Sequence, residues 1–213
     1  MCASYGLEIK DTDLPTVDDR LVTPDLLKWL RDNAPTTIRP TGPKARNYAP
    51  IITPTGVESS WWGMWVGGQP GKFSTINATV EKLTSGLWKR PYASHRILIP
   101  ATRYYEYKDE GGPKKQRYAF HLPNDRPFAF AGIASPMVRD ELDGIPLPPT
   151  SYALITREPT DYAAEIHNRM PLILPPDFYD LWLDPDRTGD DELRAEALAA
   201  SEESVGQLRY TPA

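Results

Sequence analysis

Proline sets the first limit on this chain. Of its 213 residues, 23 are proline, about twice the usual share of roughly 5%. Each one removes a backbone donor and stops a helix beyond its first turn. A long helical bundle is therefore excluded, and short elements joined by turns are expected. With 40% hydrophobic and 10% aromatic residues, the chain has enough apolar material for a core, which excludes global disorder. The length suits one generous domain.

Other classes fall away quickly. No apolar run approaches the roughly 18 residues of a membrane span, so no membrane partner is expected. The opening MCASYGLEIKDTD has neither the basic patch nor the apolar stretch of a signal peptide, and a cytoplasmic location is the expectation. Cys2 is the single cysteine, which excludes an internal disulfide and a cysteine-built zinc site. With His95, His121 and His167 scattered along the chain, neither a metal nor a cofactor is expected. Net charge is −5, yet residues 177–213 hold ten acids and three bases, while residues 1–176 hold nineteen acids and twenty-one bases. The body is mildly basic and the tail acidic, so overall charge does not decide against a basic cleft.

Pattern places the elements. Residues 1–9 read as a short strand. PDLLKWLRDNAP reads as a helix, with Leu26, Leu27 and Leu30 at helical spacing and Thr23 as its N-cap before Pro24. Residues 36–57 read as a polar, proline-rich loop. WWGMWV, FSTINATV, HRILIPATRYYEYK, QRYAFHL, PFAFAGIAS and TSYALIT read as strands between turn residues. PPDFYDLWL and DDELRAEALAA read as helices. The expected fold class is α+β: a single β-rich domain with a twisted, barrel-like antiparallel or mixed sheet and peripheral helices. Residues 1–183 would form the domain, with an insertion at about 10–45, and 184–213 an acidic helical segment.

Cys2 carries the most chemistry. Once Met1 is removed, it presents an amine and a thiol on adjacent carbons. The α-amine, with a pKa of roughly 7.7–8.0, is partly neutral at pH 7. It can condense with an aldehyde to a Schiff base, and the thiol can then add to the imine carbon and close a thiazolidine. The same nucleophile could attack an amide instead.

Later segments narrow the choice. NYAPI (47–51), WWGM (61–64), INATVE (76–81), RILIPATRYYEY (96–107), PFAFAGIA (127–134), YALITREP (152–159) and IHNRMPLILPPDFYDLWL (166–183) follow an initial Met-Cys in that order. Together they resemble the SRAP family, the SOS-response-associated peptidase or abasic-site-processing domain. The resemblance implies that Cys2 is the nucleophile, forming a thiazolidine with the ring-opened aldehyde of an abasic site in single-stranded DNA. It implies that Asn77 orients the amine or the opened sugar, that Glu106 shuttles protons, and that His167 handles the sugar hydroxyl. The residue types suit condensation, which needs a base and then an acid. Taken singly, Glu106 would read as a solvent-facing strand residue, His167 as a structural histidine and Asn77 as a turn residue.

Single strands are usually held by aromatic platforms and a basic groove. Candidates here are Asn47, Trp62, Trp65, Lys72, Arg96 and Arg169, with Trp61, Arg46, Lys89 and Arg90 as further ingredients. Several departures bear on that grip, among them a Gly67-Gly68-Gln69-Pro70-Gly71 stretch where the family usually has a tryptophan. Ala3 and Ser4 stand where the family usually has Gly-Arg, Thr79 stands where a second arginine is usual, and Tyr107 replaces a common Trp. The expected activity is covalent capture of abasic sites by a monomer, with Schiff-base lyase cleavage as a side route. Competing readings are an N-terminal cysteine peptidase, perhaps self-processing, and a module that binds single-stranded DNA or protein without covalent chemistry.

Overall fold

The computed structural model describes residues 2–9, 20–34, 37–40, 47–71 and 73–213. Much of the expected 10–45 insertion, together with Arg46 and Lys72, lies outside the described residues. In chain order the elements are β1 (Tyr5–Gly6), α1 (Pro24–Asn33), β2 (Tyr48–Thr53), β3 (Gly56–Trp62), β4 (Asn77–Thr79), α2 (Lys89–Ser94), β5 (Arg96–Ala101) and β6 (Arg103–Lys108). They continue with β7 (Gln116–His121), β8 (Phe128–Pro136), β9 (Glu141–Leu142), β10 (Ile145–Pro146), β11 (Thr150–Arg157), β12 (Met170–Pro171) and β13 (Ile173–Leu174). The last three are α3 (Tyr179–Leu183), α4 (Asp191–Gly206) and β14 (Arg209–Pro212).

The fold class is as expected: mixed, with a closed five-stranded barrel. Strands pair in the order β11–β3–β2–β5–β8, and β8 pairs back to β11. Only the β3–β11 seam of this ring is parallel. Closure leaves no open edge on the ring. A second sheet, β1–β6–β7–β14, lies beside it.

The strands are buried on both faces, and alternation sorts their side chains into two cores. Ile51, Ile97, Ile99, Phe130 and Leu154 pack with Cys2 and with Tyr5, Tyr104 and Phe120 of the second sheet. Their neighbours Ile52, Leu98, Ala129, Ala131, Ala153 and Ile155 pack with Tyr92, Trp182, Leu193 and Ala197 of the helices. Gly132 belongs on the first face, where an added Cβ would come within 2.6 Å of the Ile99 side chain, so any larger residue would have to displace Ile99.

The start signal of α1 acts as expected. Thr23 caps α1, its hydroxyl accepting the N–H of Leu26 at 3.2 Å, and the helix ends where Ala34 turns left-handed at φ 44°. Asp190 caps α4 through the N–H of Leu193 at 2.9 Å, and Leu193, Ala197 and Ser201 line its buried side at four-residue spacing.

The reading of residues 36–57 as loop is corrected. Residues 48–53 form β2, a full barrel strand joined to β3 by a tight turn at Thr53↔Gly56. Its prolines hid it. A proline within a strand loses a rung only where its N–H would face a partner, and β5 meets β2 only at Ile52↔Leu98. The WWGMWV segment ends as strand at Trp62, because Gly63 turns the chain at φ 117°. Residues 184–213 include β14 as well as α4. Tyr210↔Phe120 and Thr211↔Ala119 pair it with β7.

Candidate active site

Four side chains predicted for chemistry converge where the barrel meets the second sheet. Cys2 precedes β1, which runs antiparallel to β6 at Tyr5↔Tyr104. The bond from the N–H of Tyr105 to the Ser4 carbonyl, 3.1 Å, continues that pairing towards Glu106. Cys2 is buried, and its Sγ–H points to the Ser4 carbonyl at 3.6 Å. Burial pushes the thiol far above its usual pKa, and the charge of Glu106 pushes it the same way. The sulfur therefore rests as thiol.

Asn77 opens β4, held parallel to β11 at Asn77↔Leu154. The 3₁₀ turn before it is anchored by the Trp62 indole, which donates to the Ile76 carbonyl at 2.9 Å. The Asn77 amide donates to the Cys2 carbonyl at 2.8 Å. Its Oδ1 is buried with no hydrogen-bond partner among the described residues, which leaves an acceptor beside the nucleophile.

Glu106 is 4% exposed on β6, and burial raises its pKa to about 7. His167 follows the 3₁₀ turn Asp161–Glu165, and its N–H is tied to the Ala163 carbonyl at 3.1 Å. Its Nε2 lies 3.8 Å from Oε2 of Glu106, while Nδ1 accepts the N–H of Arg169 at 3.0 Å. Burial holds the imidazole below its usual pKa, so the ring is neutral at pH 7. A carboxyl group half-ionised near neutrality beside a neutral imidazole can both take and give a proton.

The candidates for holding DNA are placed differently. Arg96 is buried and donates to five carbonyls, those of Tyr92, Ala93, Trp182, Asp184 and Arg187. It ties α2 and α3 together, away from the site. Trp62 is core, stacked on Tyr152 with rings 8° from parallel. Trp65 is buried edge-on against buried Trp61 at 5.7 Å, with its indole N–H lacking a partner among the described residues. Asn47 is buried, its carbonyl accepting the N–H of Trp62 at 2.7 Å, and its Oδ1 has no partner among the described residues. Arg169 is engaged bidentately by Glu81 at 2.9 and 3.1 Å. The two arginines were read from charge alone, which does not reveal the carbonyls or carboxylate that occupy them in the fold.

Sequence reasoning passed over two features. One is Glu81. The other is the Tyr5–Tyr152 hydroxyl pair, 2.7 Å apart and buried in the same core as Cys2. Residues 147 positions apart leave no local signal for such a pair.

A family model described as SOS response associated peptidase (SRAP) matches residues 22–212. Among curated proteins, the chain is similar to Abasic site processing protein YoaM of Bacillus subtilis (strain 168), 33% identical over 138 residues that cover 63% of this chain and 59% of the relative. It is also similar to Abasic site processing protein YedK of Escherichia coli (strain K12), 29% identical over 149 residues, or 68% and 59% of the two chains. The chain spans about 60% of the length of these curated relatives. A solved structure of a Bacteroides thetaiotaomicron protein matches with a TM-score of 0.74 at 19% identity, covering 99% of this chain and 91% of that one. A phage-related protein of Bordetella bronchiseptica matches with a TM-score of 0.67 at 24% identity, covering 100% and 94%. At these identities the structural likeness speaks for the fold alone.

Proposed function

The chain belongs to the SOS response associated peptidase (SRAP) family, and from that premise we propose that it processes abasic sites in DNA by capturing them covalently, in single strands, through Cys2. The relatives named as abasic site processing proteins support the substrate. The observation that carries the mechanism is the 2.8 Å bond from Asn77 to the Cys2 carbonyl, which ties the Cys2 backbone to Asn77 where the charge of Glu106 reaches the thiol.

Capture requires a free α-amine on Cys2, so removal of Met1 is part of the proposal. The amine adds to the C1′ aldehyde of the ring-opened sugar, with Glu106 accepting the ammonium proton. The protonated carboxyl then gives a proton to the departing hydroxyl, and water leaves as the imine forms. The thiol adds its sulfur to the imine carbon while its proton passes to nitrogen, closing the thiazolidine. Aldehyde and aminothiol become ring and one water. His167 serves the sugar O4′ during ring opening and closing. Before the ring closes, loss of a C2′ proton from the imine with departure of the 3′ phosphate is the route to strand cleavage.

A peptidase in which the sulfur attacks an amide calls for a thiolate, usually obtained by lowering the pKa. The buried Cys2 thiol is shifted the other way. Addition of the amine first and the thiol second places no such demand on the sulfur.

The test incubates the protein with a single-stranded oligonucleotide carrying one abasic site and resolves the products on a denaturing gel. A heat-stable adduct that Cys2→Ala abolishes is expected. Absence of adduct, or an equal adduct with Cys2→Ala, rejects the proposal. Mass analysis of the intact chain reads whether Met1 is gone.

A further inference from the structure

We infer that Glu81 is a positioning residue for His167, acting through Arg169. The role of His167 rests on the capture reading above, whereas the way it is held rests on geometry. Glu81 lies in the 3₁₀ turn Val80–Lys82, four residues beyond Asn77. Its two oxygens take parallel N–H bonds from Arg169 Nη1 and Nη2 at 2.9 and 3.1 Å, a bidentate geometry that fixes direction as well as distance. Nη2 also donates to the Thr156 carbonyl at 2.7 Å. Thr156 is the position of β11 that pairs with both Thr79 and Pro171. One guanidinium thus joins the segment carrying Asn77, the end of β11 and the loop carrying His167.

The backbone of Arg169 faces the histidine. Its N–H lies 3.0 Å from Nδ1 and its carbonyl oxygen 3.2 Å from the same atom. While Nδ1 accepts that N–H, the neutral ring carries its proton on Nε2, the nitrogen turned towards Glu106. When the ring gains a second proton, Nδ1 can donate to the Arg169 carbonyl. Both charge states find a partner on one residue, so the ring need not rotate during proton transfer. The Glu81 side chain is 52% exposed, and exposed ion pairs contribute little to stability. A carboxylate there also opposes a nucleic acid. Holding the histidine loop is the role that its geometry supports.

The test compares Glu81→Ala with the parent chain in three measurements. Imidazole ¹⁵N shifts without DNA read the His167 tautomer. Single-turnover adduct formation with saturating abasic oligonucleotide reads the rate. Anisotropy with an undamaged single-stranded oligonucleotide, in a Cys2→Ala background, reads affinity. Expected are loss of the single Nε2–H tautomer, capture slowed by about 10- to 100-fold, and affinity equal to or tighter than the parent. Glu81→Gln, which keeps one acceptor, should fall between and serves if the alanine variant folds poorly. Capture at the parent rate with the parent tautomer overturns the inference. If the parent chain forms no adduct, the capture reading fails, while the tautomer still decides whether Glu81 holds the ring.

Discussion

Nε2 of His167 lies 3.8 Å from Oε2 of Glu106, and the two groups reach this point from positions 61 residues apart. The same burial acts on them in opposite chemical directions. It raises the carboxyl to about 7 and lowers the imidazole, because each then favours its uncharged form. Near neutrality the carboxyl is half-ionised and the imidazole uncharged.

Capture should therefore peak near pH 7. Below that, Glu106 is protonated and cannot relieve the Cys2 ammonium. Above roughly 8 the α-amine arrives already neutral, so the carboxylate takes no proton from it to pass to the departing hydroxyl. Glu106→Gln should slow capture by about 10²- to 10⁴-fold and abolish the Glu106-dependent limbs. Adduct formation by quenched gel across pH 5–9 checks this. A parent profile identical in shape to that of the Gln variant would remove Glu106 from the chemistry.

Stability should move with the same group. The folded pKa of Glu106 is raised, so its favourable contribution is complete below about 4.5, the unfolded value. It is lost progressively as pH rises through about 7. Glu106→Gln should match the parent near pH 4.5 and exceed it at pH 8.5, by up to roughly 3 kcal/mol. Urea denaturation at the two pH values measures the difference, and an equal difference at both would contradict the assignment.

Asn77→Ala removes the donor to the Cys2 carbonyl. The variant should lose about 1 kcal/mol of stability, with capture slowed by about 10- to 100-fold through misplacement of the nucleophile. Asn77→Asp should be slower still, because a carboxylate replaces that donor beside a carbonyl oxygen. Single-turnover rates order the three proteins.

Arg96 should behave as structure and not as a DNA contact. Arg96→Ala strands carbonyls of α2 and α3 that now share one guanidinium, and it should cost about 3–5 kcal/mol. Affinity for a single-stranded oligonucleotide and its salt dependence should stay unchanged below the melting transition. A flatter salt slope in the folded variant would return Arg96 to the interface.

Thr79→Arg places a cation where the family resemblance implies one. Thr79 is partly exposed at the end of β4. The variant should bind single-stranded DNA more tightly, and log K should fall more steeply with log salt, by about 0.7. Anisotropy titrations at several salt concentrations read both.

Much of the local structure was legible in the residues. Thr23 before Pro24 marked the start of α1, and apolar runs such as YALIT and FAFAGIA marked barrel strands. β2 was not legible, because Pro50 and Pro54 mimic a loop unless the partner strands are known. The four chemical residues stood out through the order of their motifs. Arg96, Arg169, Trp62 and Trp65 read as a binding surface because charge and aromaticity do not reveal the partner on the other side.

What the sequence determined by itself was short-range: where helices begin and stop, which strands alternate, and which residues are equipped to meet an aldehyde. Capping, chain breaking and periodicity act within a few neighbours, so they can be read along the chain. The closed barrel, the neutral-range carboxyl of Glu106, the amide of Asn77 on Cys2 and the capture of Arg169 by Glu81 were decided by the tertiary structure alone. Desolvation and hydrogen-bond partnership depend on which distant atoms share a small volume, and only folding brings those atoms together.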